Sequence, residues 1–86
     1  MAQQVYQPPD IRKLSRKGRQ LFAALDPELS KTHRGQFVAI EVDSGDCFIA
    51  ETAMEAHQKA RIKHPEKVFF LGRIGYRTAF SFKGHL

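Results

Sequence analysis

Residues 35 to 64 carry the tightest constraint in this chain. An apolar strand over Gln36 to Val42 is followed by Asp43-Ser44-Gly45-Asp46, whose residues are turn formers, and then by a second strand over Cys47 to Ala50. Thr52-Ala53-Met54-Glu55 next spells a capping box, in which a hydroxyl and a carboxylate satisfy amides that a helix start leaves unpaired. The helix that follows runs to about His64 and is stopped by Pro65. Val38, Ile40 and Val42 alternate with Phe37, Ala39 and Glu41, so both faces of the first strand are largely apolar and it is expected to be central in its sheet. On the helix, Ala53, Ala56, His57 and Ala60 share one face, small enough to lie close on that sheet, with Lys59, Arg61 and Lys63 at its flanks.

Elements on either side complete an α+β fold. Pro8-Pro9 makes the first nine residues an extended, flexible arm, and Asp10 offers an N-cap. From Ile11 to Leu25, Ile11, Leu14, Leu21, Phe22 and Leu25 form an apolar stripe at helical spacing, opposed by Arg12, Lys13, Arg16, Lys17 and Arg19. Gly18 lies on the apolar side, where it permits close approach to another backbone. Asp26-Pro27 is expected to end this helix, with a further short turn at Pro27 to Ser30. Val68 to Leu71 reads as a buried strand, and Arg77 to Lys83 as a fourth. The expected product is a single domain over residues 10 to 86, a small sheet covered by helices, which suits a chain of 86 residues.

Charge is distributed unevenly. Residues 1 to 25 sum to +4, residues 26 to 55 to −5 and residues 56 to 86 to +6, within a net charge of +5. Such segregation steers an acidic partner or lets unlike surfaces of two copies meet. The lone Cys47 rules out an internal disulfide framework and suits a reducing, cytoplasmic location. No signal segment and no apolar run long enough to span a bilayer is visible, so no membrane association is expected.

The string HRGQFVAIEVDSGDCFIAETAMEAHQKARIKHPEKVFFLGRIG resembles a family of small bacterial and archaeal proteins catalogued as a domain of unknown function. The resemblance rests on Gly35, Val38, Ala39, Ile40, Ser44, Gly45, Thr52, Ala56, Pro65 and Gly75; it implies shared folding and brings no established activity. A second, shorter resemblance, on Thr52, Glu55 and Ala56, is to antitoxins of the HicB type. It implies a toxin-neutralising role by analogy, although the additional strand those antitoxins insert has no room between Ala50 and Thr52.

Four constellations bear on chemistry. Asp43-Ser44-Gly45 with Leu71-Gly72-Arg73 resembles the landmarks of retroviral-type aspartic proteases, which would pair Asp43 with its copy in a dimer. The intervening residues are largely spent on the helix after Thr52, leaving no space for a flap, and Asp43 reads as a turn residue. Cys47 with His33, His57, His64 or His85 lacks any mark of a depressed thiol pKa, and the same residues lack metal-ligand spacing. No catalytic residue, metal ligand or cofactor is therefore expected, and the chain is read as a non-enzyme.

The fourth constellation is cationic. Arg12, Lys13, Arg16, Lys17 and Arg19, with Arg73 and Arg77 beside Tyr76 and Phe80, are the expected partner- or nucleic-acid-binding residues. The leading expectation is a binding or regulatory module that docks on a protein partner or on itself through the first helix. Its alternative is a nucleic-acid-binding protein that uses the same cations on phosphates.

Overall fold

A computed structural model describes residues 11–76 and the backbone of residues 79–81. The order of elements is helix α1 (Ile11–His33), strands β1 (Phe37–Glu41) and β2 (Asp46–Ala50), helix α2 (Ala53–Lys63), and strands β3 (Phe70–Arg73) and β4 (Ala79–Ser81). The four strands form one antiparallel sheet in the order β2-β1-β3-β4, so the strand with two apolar faces is indeed an interior one. The fold is the expected α+β arrangement, with one helix on each face of the sheet.

Alternation along the strands assigns the two layers. Ala39 and Leu71, opposite one another in register, join Phe69, Ala50, Ala56 and Ala60 in the cluster under α2. Ala56 and Ala60 are fully buried, as a helix pressed onto a sheet through methyl groups requires. Val38, Ile40 and Phe70 turn the other way and pack with Phe22, Ile74, Leu21, Leu25 and Leu29 under α1.

Two glycines fit this second layer together. A Cβ on Gly18 of α1 would lie 2.3 Å from Cγ of Phe70, and a Cβ on Gly72 of β3 would lie 2.8 Å from the ring of Phe22. Each element thus offers one aromatic ring and one bare backbone position to the other. The two rings meet with centroids 6.2 Å apart at a tilt of 48°. The closeness expected at Gly18 is real, but what approaches is a side chain.

The termination expected at Asp26-Pro27 does not occur. α1 runs on through Pro27 to His33, although proline lacks the amide that would bond to the Ala23 carbonyl. Tertiary contacts on both sides of the proline offset that loss: Leu29 joins the core, and Asp26 Oδ1 accepts the amide of Gly75 at 2.8 Å. Local propensity is overridden by anchoring that only the folded chain contains.

Other boundaries move by a residue or two. β1 begins and ends one residue inside its expected span, and β2 starts at Asp46. The Val68 to Leu71 strand is displaced to Phe70–Arg73, and Phe69 is buried just ahead of it. β4 falls within the expected Arg77 to Lys83; residues 77–78 and 82–83, the arm over 1–9 and the Asp10 cap lie outside the described residues. The turn at 42–45 uses Gly45 at φ +81°, which explains a glycine there. β2 leads into α2 through Glu51 and Thr52 with no strand between. Thr52 Oγ1 accepts the amide of Glu55 at 3.1 Å, and Glu55 Oε1 in turn accepts the Thr52 hydroxyl. The reciprocal half of the capping box is therefore closed side chain to side chain.

β2 is an edge of the sheet. The bond from Ile74 N–H to the Gln36 carbonyl fixes the alternation in β1, so that Val38 turns its backbone toward β3 and its partner Ile49 turns its own outward. Lys59 Nζ donates to that outward carbonyl of Ile49 at 2.9 Å.

Candidate functional site

With its apolar stripe committed to the core, α1 presents its opposite side to water. Arg12, Arg16 and Arg19, with Ser15 and Gln20 between them, line an open depression along that side. Seven residues separate the first arginine from the last, about 10 Å of helix at 1.5 Å per residue. No acidic side chain occurs between Arg12 and Leu25. Neither Arg16 nor Arg19 is engaged by a carboxylate among the described residues.

The structure divides the five expected cations of this helix. Lys13 and Lys17 belong to the flank nearer the β1–β2 turn, where their charge reaches Asp43. The Asp43 carboxyl is held below its usual pKa chiefly by its hydrogen bond and ion pair with Lys67, at 3.0 Å, and to a smaller degree by Lys17 and Lys13. Arg12, Arg16 and Arg19 form the outward stripe. Arg73 is remote from them in the fold, at the end of β3 beside Phe37 and Tyr76. Arg77 lies outside the described residues.

The two aspartates that flank the β1–β2 turn each have a structural partner. Asp43 sits in the turn with its side chain two-thirds exposed and its charge on Lys67. Asp46 Oδ2 receives His64 Nε2 at 2.9 Å and Lys63 Nζ at 3.1 Å, which ties the start of β2 to the end of α2. The hydrogen bonds from His64 and then Lys63 hold the Asp46 carboxyl low. Asp43 is thus used as a turn residue and a surface ion-pair partner.

Glu41 is a residue whose role the sequence reading missed. It is only 2% exposed, yet its carboxylate accepts the amides of Asp43 at 3.1 Å and Ser44 at 3.0 Å, closing the turn from within. Burial works against its ionisation, but the hydrogen bonds from Asp43 and Ser44 outweigh it and the pKa lies below 4.5. A glutamate at the end of an apolar strand, directly before Asp-Ser-Gly, was the available signal. Because the folded-state pKa is depressed, the stabilisation is present above the ordinary glutamate value and drains away as pH falls through the folded one. Glu41→Gln should cost about 1–3 kcal/mol at neutral pH, the scale of hydrogen bonds to a buried charged group. Urea melts should show the gap from the parent protein closing in acid; a gap independent of pH would contradict this role for the charge.

Among the described residues the remaining candidates for chemistry are accounted for by packing; His85 lies outside them. Cys47 is exposed at the edge strand, with Sγ 3.4 Å from the Gly45 carbonyl. Desolvation, and then the Asp46 carboxylate, push its pKa up, the wrong direction for a nucleophile. His57 stands edge-on to Phe69 at 5.5 Å, and His33 Nδ1 lies 2.8 Å from the Gln36 side-chain oxygen. Among the described residues no three His, Cys, Asp or Glu side chains are grouped as a metal would need, and no helix is long and apolar enough to cross a membrane.

No family model matches the chain, and neither a curated protein nor a solved structure matches it. The arginine stripe is therefore interpreted from its own geometry and charge.

Proposed function

We propose that this chain is a non-catalytic binding module for nucleic acid, which holds backbone phosphates on the outward arginine stripe of α1. The carrying observation is the placement of Arg12, Arg16 and Arg19 along one exposed line at the start of a helix. That is an unfavourable place for cations. The N-terminal end of a helix bears partial positive charge, which works against Arg12 in the first turn of α1. Arg12 and Arg16 are four apart, as are Lys13 and Lys17, and like charges at that spacing repel. Local conflict of this kind is expected where residues serve a ligand.

The arginine is suited to the role because its planar fork donates two parallel hydrogen bonds to phosphate oxygens. Gln20 adds a neutral donor along the same line. A cytoplasmic setting, consistent with the single unpaired Cys47, belongs to the same proposal.

Docking on a protein partner or a second copy is the other reading, favoured by Met54 and Ile62, which are 55% and 84% exposed on the outer side of α2. Two apolar side chains eight residues apart make a small patch, whereas the cationic line is continuous. Fluorescence anisotropy with labelled oligonucleotides across a salt series tests the choice. Affinity should fall steeply with salt, with a log–log slope of about −2 or steeper for three released counterions on a single strand. Lack of binding at low salt, together with a prey from lysate that survives nuclease treatment, would transfer the assignment to a protein partner.

A further inference from the structure

The reading above leaves the exposed pair Arg73 and Tyr76 unused. We infer that Tyr76, seated on the Arg73 guanidinium, is a stacking platform for an unpaired base, so that the ligand of this protein is single-stranded. The inference rests on the proposed nucleic-acid function and names the form of ligand.

The platform is built into the turn after β3. Ile74 is fully buried, its amide donates to the Gln36 carbonyl at 2.7 Å, and its carbonyl accepts the Gly35 amide at 2.8 Å. Gly75 takes φ +86° and donates to Asp26 of α1, and the Tyr76 amide returns to the Arg73 carbonyl at 3.2 Å. Every residue between Arg73 and Tyr76 is thereby held by the sheet or by α1. The backbone that carries Tyr76 is fixed before any ligand arrives, which lowers the entropy lost on binding.

The side chains above that turn are equally settled. The Arg73 guanidinium carbon lies 4.2 Å from the centre of the Tyr76 ring and 5.5 Å from that of Phe37, while Nε donates to the Gly35 carbonyl at 3.2 Å. One face of Tyr76 is covered by this cation, so the 42% exposure of the residue is drawn from the other face, the edge and the hydroxyl. The aliphatic part of Arg34 packs over Gly75, its Cγ 2.7 Å from where a Cβ on that glycine would stand, and steadies the same turn. A ring that is 42% exposed and backed by a guanidinium suits a base and its neighbouring phosphate. In a duplex both faces of each base are occupied by neighbours, and no base is offered to such a platform.

The chain contains no tryptophan, so Tyr76→Trp supplies a unique reporter. Its fluorescence should be quenched on addition of oligo-deoxythymidylate, with affinity retained or raised. Tyr76→Ser should lower single-strand affinity about five- to hundred-fold, the range for loss of one stacked base, and leave duplex affinity unchanged. Circular dichroism melts of both variants verify folding. Unquenched tryptophan, or equal single-strand affinity of Tyr76→Ser and the parent, would overturn the platform while Arg12, Arg16 and Arg19 still governed binding. Failure of the parent protein to bind either form at low salt would remove the nucleic-acid reading as well, and the two failures are thus distinguishable.

Discussion

Replacing Arg12, Arg16 and Arg19 together by Gln is expected to weaken nucleic-acid binding by two orders of magnitude or more at low salt, and the Arg16→Gln/Arg19→Gln pair is expected to melt no lower than the parent. The loss follows from three phosphate contacts that each release a counterion; without them the log–log salt slope should flatten by about two units for single strands. The thermal result is the sharper half of the expectation. Gln has a helix propensity close to that of Arg, and removing Arg16 relieves its i,i+4 repulsion with Arg12. Opposite movement of affinity and stability is the signature of residues retained for a ligand. A variant that unfolds, or one that binds as the parent does with an unchanged salt slope, would remove the stripe from the binding surface. Arg16→Gln with Arg19→Gln alone gives a partial version that leaves Arg12 in place.

Gly18→Ala should be among the most damaging single substitutions available, although alanine is the better helix former by about 1 kcal/mol. The added methyl would enter within 2.3 to 2.6 Å of three atoms of Phe70, whose side chain is fully buried. Neither α1 nor β3 can yield independently, because Phe22 is seated over Gly72 on the same pair of elements. Overpacking of a core typically costs 1–3 kcal/mol, and a clash with the base of a ring places this change at the upper end or beyond. Chemical denaturation checks it. Shortening the opposing side chain in Gly18→Ala/Phe70→Leu should recover part of the loss; the absence of any recovery would mean the damage arises elsewhere.

How much of this was legible in the sequence depends on the range of the interaction. Turn, cap and periodicity are local, and the hairpin at Asp43 to Asp46, the Thr52 start and the alanine face of α2 all emerged from them. The interior position of β1 followed from its two apolar faces. Pro27 misled because the contacts that carry α1 past it, Asp26 to Gly75 and Leu29 to the core, join residues far apart in the chain. Glu41 escaped for a related reason: alternation registers it as one more strand residue, and only the folded turn shows two amides aimed at its carboxylate.

For the site, the residues were visible and their grouping was not. Helical spacing identified Arg12, Lys13, Arg16, Lys17 and Arg19 as one cationic arc; the folded structure separates a flank that compensates Asp43 from a line that faces water. Arg73 stood out by charge and by its nearness to Tyr76 in sequence. That its guanidinium lies against the ring depends on the positive φ of Gly75 and on the anchoring of Ile74, neither of which a composition pattern conveys.

The Lys59 contact with the Ile49 carbonyl has a bearing on how many copies can join. A strand at a sheet's margin invites another chain to add itself and continue the ladder indefinitely, the route to fibrils. Here the ammonium group occupies an acceptor that a newcomer would need, and it puts a positive charge where an identical copy would bring its own. The margin is thereby made a poorer template, so neighbouring molecules can lie side by side without fusing their sheets along β2.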